Sequence, residues 1–153
     1  MSRRLTFLGA ALLASGCAGQ SATPTAPVLE FAGAPALTVA SASGELALAV
    51  WWSPAQPTVG YDAAQLEITD AAGAPVAGLT LTIIPWMAAH GHGASVLPAV
   101  SETMPGIYVA TPIDFFMAGN WELRTAIVRT TDAGSAGGAG TTGDSAQPTV
   151  EVR

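Results

Sequence analysis

A repeating period of two constrains this chain more than any other feature. Leu46, Leu48, Val50 and Trp52 alternate with Glu45, Ala47, Ala49 and Trp51, which sends one face of an extended segment into a core and the other outward. The pattern returns at Gln65–Thr69, where Leu66 and Ile68 share a face, and at Leu79–Ile84, where threonines alternate outward. Ile107–Thr111 and Trp121–Thr130 are strong further segments, and Ser95–Glu102 is a weaker one. Asp70-Ala71-Ala72-Gly73 and Met104-Pro105-Gly106 read as turns between them. Beyond the N-terminal segment, no stretch sustains a helical period. Short strands at this spacing predict an all-β fold, an antiparallel β-sandwich of about seven strands. Ala133–Ala146 is almost entirely small residues and is expected as a flexible loop or the start of a disordered tail. Thr149–Val152 is expected to return as an edge strand.

The N-terminus has its own logic. Arg3 and Arg4 precede an uncharged apolar run from Leu5 to Ala14, and Ser15 and Gly16 supply small residues for cleavage. The run is shorter than the about 20 residues a spanning helix needs. Leu12-Leu13-Ala14-Ser15-Gly16-Cys17 resembles the lipobox of bacterial lipoproteins, with Ala14 where leucine is commoner. The resemblance implies a signal peptide over 1–16 and a mature chain starting at an acylated Cys17. Each buried acyl CH₂ contributes roughly 0.8 kcal/mol, so several chains on one cysteine anchor it stably. Cys17 is the only cysteine; without a lipid it would be a free thiol or an intermolecular disulfide partner. Ala18 is not the aspartate that resembles an inner-membrane retention signal. The expected address is therefore the periplasmic face of the outer membrane. Gln20–Pro27, rich in Ser, Thr, Pro and Ala, suits a spacer. The resulting plan is a signal over 1–16, a lipid-anchored flexible tether over 17–34, and a β-sandwich domain over 35–153.

Charge narrows the partners. There is no lysine, and beyond the signal only Arg124, Arg129 and Arg153 are cationic against eleven acidic residues. Nucleic acid needs clustered cations to neutralise phosphate, so it is not an expected partner. Ser95 is near His92 in sequence, but no orienting carboxylate or oxyanion motif accompanies it, and no Gly-rich phosphate loop follows a strand. An enzyme is not expected.

Chemistry concentrates elsewhere. Both histidines lie in His90-Gly91-His92-Gly93, and the methionines after the initiator (Met87, Met104 and Met117) lie in the same region. Imidazole and thioether together form a soft ligand set that favours copper, particularly Cu(I), over magnesium or calcium. The glycines allow a sharp turn that aims both rings at one point, and Pro85 is expected to end the preceding strand and let Met87 curl towards His90. If the strands from Leu79 onward run as a simple meander, the loop from Pro112 to Asn120 arrives at the histidine end. Met117 is then a candidate ligand, while Met104 falls at the opposite end. Zinc would want carboxylates or thiolates beside the histidines; Glu102 and Asp114 exist, but nothing in the sequence places them near. Trp86, Phe115, Phe116 and Trp121 read as sandwich core or as an apolar collar around the site.

The stretch from Gln56 to Val128 resembles the YtkA-like/FixH-like family of small exported or membrane-tethered domains. The resemblance is carried by Asp70-Ala71-Ala72-Gly73-Ala74-Pro75-Val76, by Pro85-Trp86-Met87-Ala88-Ala89-His90-Gly91-His92-Gly93, by Pro105-Gly106-Ile107-Tyr108 and by Phe116-Met117-Ala118-Gly119-Asn120-Trp121-Glu122-Leu123. Family members often have proline after the methionine, where this chain has Ala88. The resemblance implies an immunoglobulin-like sandwich, copper handling, and Met87, His90, His92 and Met117 as ligands. The leading expectation is a lipid-anchored protein that buffers or delivers Cu(I) by ligand exchange with a copper donor or acceptor protein. The alternative is an immunoglobulin-like interaction or structural module of the cell envelope that binds no metal.

Overall fold

The computed structural model describes residues 28–131 and 140–153. Its strands, in chain order, are β1 (Leu37–Ala40), β2 (Leu46–Ser53), β3 (Gly60–Asp70), β4 (Leu79–Met87), β5 (His92–Gly93), β6 (Ala99–Met104), β7 (Ile107–Phe115), β8 (Gly119–Thr131), β9 (Gly140–Ala146) and β10 (Thr149–Val152). The described residues contain no helix, and every strand pair is antiparallel.

The strands form two sheets. One has the order β1-β2-β3-β7-β6; the other has the order β10-β8-β4-β5, with β9 also on β8. Take β2, β3, β4, β6, β7 and β8 as six strands and β9 with β10 as a broken seventh. The first, second, fifth and fourth then share one sheet, and the third, sixth and seventh share the other. This is the immunoglobulin constant-type arrangement. β1 and the two-residue β5 are additions at its edges.

Period-two burial drives this outcome. Leu48, Val50, Leu66 and Ile68 of one sheet face Leu81, Ile83, Leu123 and Ile127 of the other across a single core. Each such side chain, fully buried, contributes about 1.5–3 kcal/mol relative to exposure. Trp121, Tyr108 and Phe115 are its largest fully buried members.

The structure corrects several expectations. The strands after Leu79 are not a meander: β6 and β7 form a hairpin in the first sheet, while β4 pairs with β8 in the second. Each sheet has one face to bury, and crossing between sheets satisfies both. Pro85 does not end β4, which continues to Met87. The Pro85 carbonyl accepts from the Ala94 amide, so its main chain faces the short β5 side rather than β8, and its missing N–H breaks no bond of the β4–β8 ladder. The loop expected over 112–120 shrinks to Phe116–Ala118, because β7 runs through Pro112 to Phe115. Within 133–146, residues 140–146 form β9 against Thr125–Thr131 rather than a loop. The tether expected over 17–34 lies outside the described residues as far as Pro27, as do the signal and Cys17. From Glu30 onward the chain is held to the first sheet. The Glu30 amide donates to Ser53 Oγ (3.1 Å) and Trp51 Nε1 donates to the Gly33 carbonyl (3.0 Å).

The end away from the histidines is tied by polar bonds. Tyr108, buried in the core, receives a hydrogen bond from the Leu79 amide and donates its hydroxyl to the Val76 carbonyl, both at 3.0 Å. A side chain of one sheet thus fixes the chain where it enters the other. Glu102 accepts from the Gly78 and Gly106 amides, both at 3.0 Å, and those bonds hold its carboxyl below the usual range.

A third tie joins the sheets at β9. Asp144 accepts from the Ser43 hydroxyl at 2.6 Å and from the Ser43 and Ser145 amides. Burial pushes its carboxyl up, but the Ser41 and Ser43 hydroxyls and these amides outweigh that and hold it at about 2.

Two outcomes follow for denaturant unfolding of the full-length protein. Tyr108→Phe leaves a buried amide and carbonyl without their partner and lowers stability by roughly 1–3 kcal/mol at neutral pH. For Asp144 the folded value lies below the ordinary 3.8, so its contribution is complete above that value and is lost as pH falls towards about 2. Asp144→Asn therefore flattens the acid limb of the stability curve between these two values.

Candidate functional site

The site begins with the alternation of β4. Leu79, Leu81, Ile83, Pro85 and Met87 all face inward, and Met87 is the last of them, only 1% exposed. Met87 therefore keeps strand alternation instead of curling out of it. The chain then reverses. The His90 and Gly91 amides both donate to the Met87 carbonyl, at 3.1 and 3.0 Å, and Gly91 takes φ +70°, a conformation that disfavours any side chain. His92 returns directly opposite Met87, and Gly93 opposite Trp86. A Cβ on Gly93 would lie 2.9 Å from the Pro85 carbonyl oxygen, so only glycine allows this close return. Both glycines of the His-Gly-His-Gly stretch thus have a geometric task.

Register decides where His92 points. Residues directly opposite in an antiparallel pair project to the same face, with Cβ atoms about 4.5–5.5 Å apart. His92 therefore stands beside Met87 at the end of the core, where it is half-buried, while His90 is exposed. The two imidazole centroids are 5.6 Å apart. A metal about 2.0–2.1 Å from a ring nitrogen sits roughly 3.2 Å from that ring's centroid. Two rings 5.6 Å apart are therefore within reach of a single ion.

Aromatic rings continue from this pair into the core. His92 lies 5.3 Å from Phe116, Phe116 meets Trp121 edge-on at 5.1 Å, and Trp121 is 5.4 Å from Phe115, which is 5.9 Å from Trp52. Phe116 is part-exposed and covers one side of His92; Trp121 is fully buried. The Trp121 indole donates to the Met117 carbonyl at 3.0 Å, which pins the short loop between β7 and β8. Met117 is half-buried and packs against the core.

Met87, His90, His92 and Met117 consequently share one end of the sandwich. β4 finishes there, and β8, antiparallel to it, starts there at Gly119. A Cβ on Gly119 would stand 3.1 Å from the Met87 methyl, so Met87 fills the space under the loop that carries Met117. Met104 is exposed at the opposite end, as expected, although the route is the β6–β7 hairpin rather than a meander. Among the described residues, no three of His, Cys, Asp and Glu cluster as metal ligands. Neither Glu102 nor Asp114 joins the histidines in such a cluster; the soft side chains at the same end are the Met87 and Met117 thioethers.

The YtkA-like family model matches residues 42–126, more than half of the chain. The chain belongs to the YtkA-like family. The matched region spans β2 to most of β8 and contains the His-Gly-His turn and Met117. No curated protein and no solved structure matches the chain.

Sequence reasoning missed one neighbourhood at this end of the first sheet. Asp62 is an acid on β3, two residues before the buried Ala64, and it is only 4% exposed. A charged residue within an otherwise buried run was the available signal.

For the YtkA-like domain, Gly93→Ala is expected to force β5 away from β4 while the sandwich persists. Loss of cross-strand contacts between Met87 and His92 in nuclear Overhauser spectra, with the β7–β3 contacts intact, is the check.

Proposed function

We propose that this YtkA-like protein is a lipid-anchored, extracytoplasmic copper-binding protein that holds Cu(I) at the His90–His92 end and passes it on by ligand exchange. One observation carries the reading: the β4–β5 turn sets two imidazoles side by side, with Met87 opposite His92 in register. Two nitrogens and two thioethers suit Cu(I), and thioethers are poor ligands for harder ions. The division of exposure suggests the order of events. His90, at the surface, is the ligand a donor or acceptor protein can replace first. His92 and Met117, half-buried, retain the ion until the incoming soft ligand is in place. Met87, enclosed below, supplies the innermost thioether and limits access of water. No electron is transferred; the ion leaves as Cu(I). The lipobox resemblance at Cys17 supports an anchor at a membrane surface, with the outer membrane as the proposed address.

The burial of Met87 favours a second reading. A methionine 1% exposed at the end of a core is also what a core filler looks like, and an interaction module with no metal would need nothing more from it.

Competition titration of Cu(I) against a chromophoric chelator separates the two. The His90→Ala/His92→Ala double variant is expected to lose affinity by at least about tenfold. Met117→Leu, nearly volume-conserving, is expected to weaken binding with the fold unchanged. Protons compete with metal for imidazole, so wild-type affinity falls on going from about pH 7.5 to about pH 5.5, and the double variant loses that dependence. Equal Cu(I) affinity in wild type and double variant would leave the interaction module standing.

A further inference from the structure

The chain enters the sandwich at the histidine end. The Glu30 amide donates to Ser53 Oγ at 3.1 Å, at the last residue of β2. β3 begins at the same end, with Gly60 opposite Phe115, and Phe116 follows in contact with His92. From Glu30 the chain runs back to Ala36, whose amide donates to the Val50 carbonyl, and on through β1 towards the far end. A tether arriving from Cys17 therefore meets the domain at the end that carries the imidazoles. We propose that this end rests on the neutral lipid surface that holds the anchor, a proposal that depends on the anchored reading of Cys17 given above.

Reach is the first support. Cys17 and Val28 are eleven residues apart, and a fully extended chain of that length spans at most about 40 Å. β8 alone has 13 residues, about 43 Å of extended strand. The far end could meet the anchoring bilayer only if the tether ran straight back along the whole domain. The histidine end needs no such path.

Surface chemistry is the second support. Val28, Leu29, Val59, Tyr61 and Phe116 are large apolar side chains exposed at this end, whereas Met104 is the one at the opposite tip among the described residues. The three connections at the histidine end, residues 54–59, 88–91 and 116–118, contain no charged residue in a chain of net charge −6. Asp114, Glu122 and Glu151 stand on β7, β8 and β10 behind them, and Glu30 on the leading segment. Arg153, joined to Pro57 and Val59 through its main chain, is a single cation and gives anionic headgroups little to hold. The fit is to the acyl boundary of a neutral lipid, where tyrosine is at home with its ring in the apolar layer and its hydroxyl in water. Such a patch binds a bilayer weakly by itself. The tether makes the contact intramolecular and so raises its effective concentration.

The test uses the exported protein, purified with its anchor and reconstituted into phosphatidylcholine vesicles. Acylation blocks Cys17, so a nitroxide can be attached after Val59→Cys at the histidine end or after Met104→Cys at the far end, both exposed positions. Collisions with lipid-soluble oxygen are compared with collisions with a water-soluble nickel chelate. The oxygen-to-nickel ratio is expected to be at least about fivefold higher for the Val59 label than for the Met104 label. Adding Tyr61→Ser and Phe116→Ser, both at exposed positions, is expected to lower the Val59 ratio by at least about half. Flotation with the vesicles separates the two readings. Protein that floats but shows equal ratios at the two labels overturns the orientation and leaves the anchor standing; protein that does not float removes both. A Val59 label shielded from both reagents marks a protein contact and also overturns the proposal.

Discussion

β4 is registered against β8 from Leu79 opposite Arg129 to Trp86 opposite Glu122, and the geometry of the histidine end depends on that ladder. A slip of one residue would turn every inward side chain of β4 outward. Met87 would leave the core, His92 would follow it to the other face, and the loop carrying Met117 would no longer lie above Met87. Arg124 reinforces the register from outside: its guanidinium stacks 4.4 Å over the Trp86 ring and bonds Glu122 at 3.0 Å. Exposed ion pairs contribute little by themselves, so this set acts chiefly as an alignment mark on a ladder already fixed by burial.

The two ends of the sandwich are built differently. At the far end, main-chain groups are consumed by Tyr108 and Glu102, and a Cβ on Gly106 would meet Pro75 at 2.7 Å. That end is closed by hydrogen bonds and close contact. The histidine end is closed by rings packed edge-on and at a tilt, with imidazole as the outermost members of the series. Rings in contact exclude water without using up the imidazole nitrogens as a polar network would, and this leaves them available for other partners.

Much of this was legible from local pattern. Alternation at Leu46–Trp52 and Leu79–Ile84 revealed two sheet-forming faces, because a period of two is written into consecutive residues. The resemblance carried by the His-Gly-His and Phe-Met-Ala-Gly-Asn-Trp segments pointed to the family. Pairing partners were harder, since whether β4 joins β6 or β8 depends on which arrangement covers both sheets. Pro85 misled for a related reason: its missing amide is costly only on the side of the long β4–β8 ladder, and nothing local says that it faces the two-residue β5 instead. β9 was hidden because Gly140–Ala146 pairs through its backbone and shows no apolar alternation. The placing of Met117 with the histidines and Met104 apart came out correctly from an incorrect meander, since both topologies reverse direction the same number of times.

The segment from Glu30 to Ala36 also decides how the domain responds to force. Tension applied upstream of Val28 reaches the fold first through three bonds: Glu30 to Ser53, Trp51 to Gly33, and the Ala36 amide to the Val50 carbonyl. All three end on β2, whose ladder to β3 runs from Leu46 opposite Asp70 to Ser53 opposite Ala63. The histidine turn hangs from β4 in the other sheet, so a pull on the leading chain strips this strap from the first sheet before it strains the β4–β8 ladder. The strap is a mechanical fuse, and the imidazole pair sits on the protected side of it.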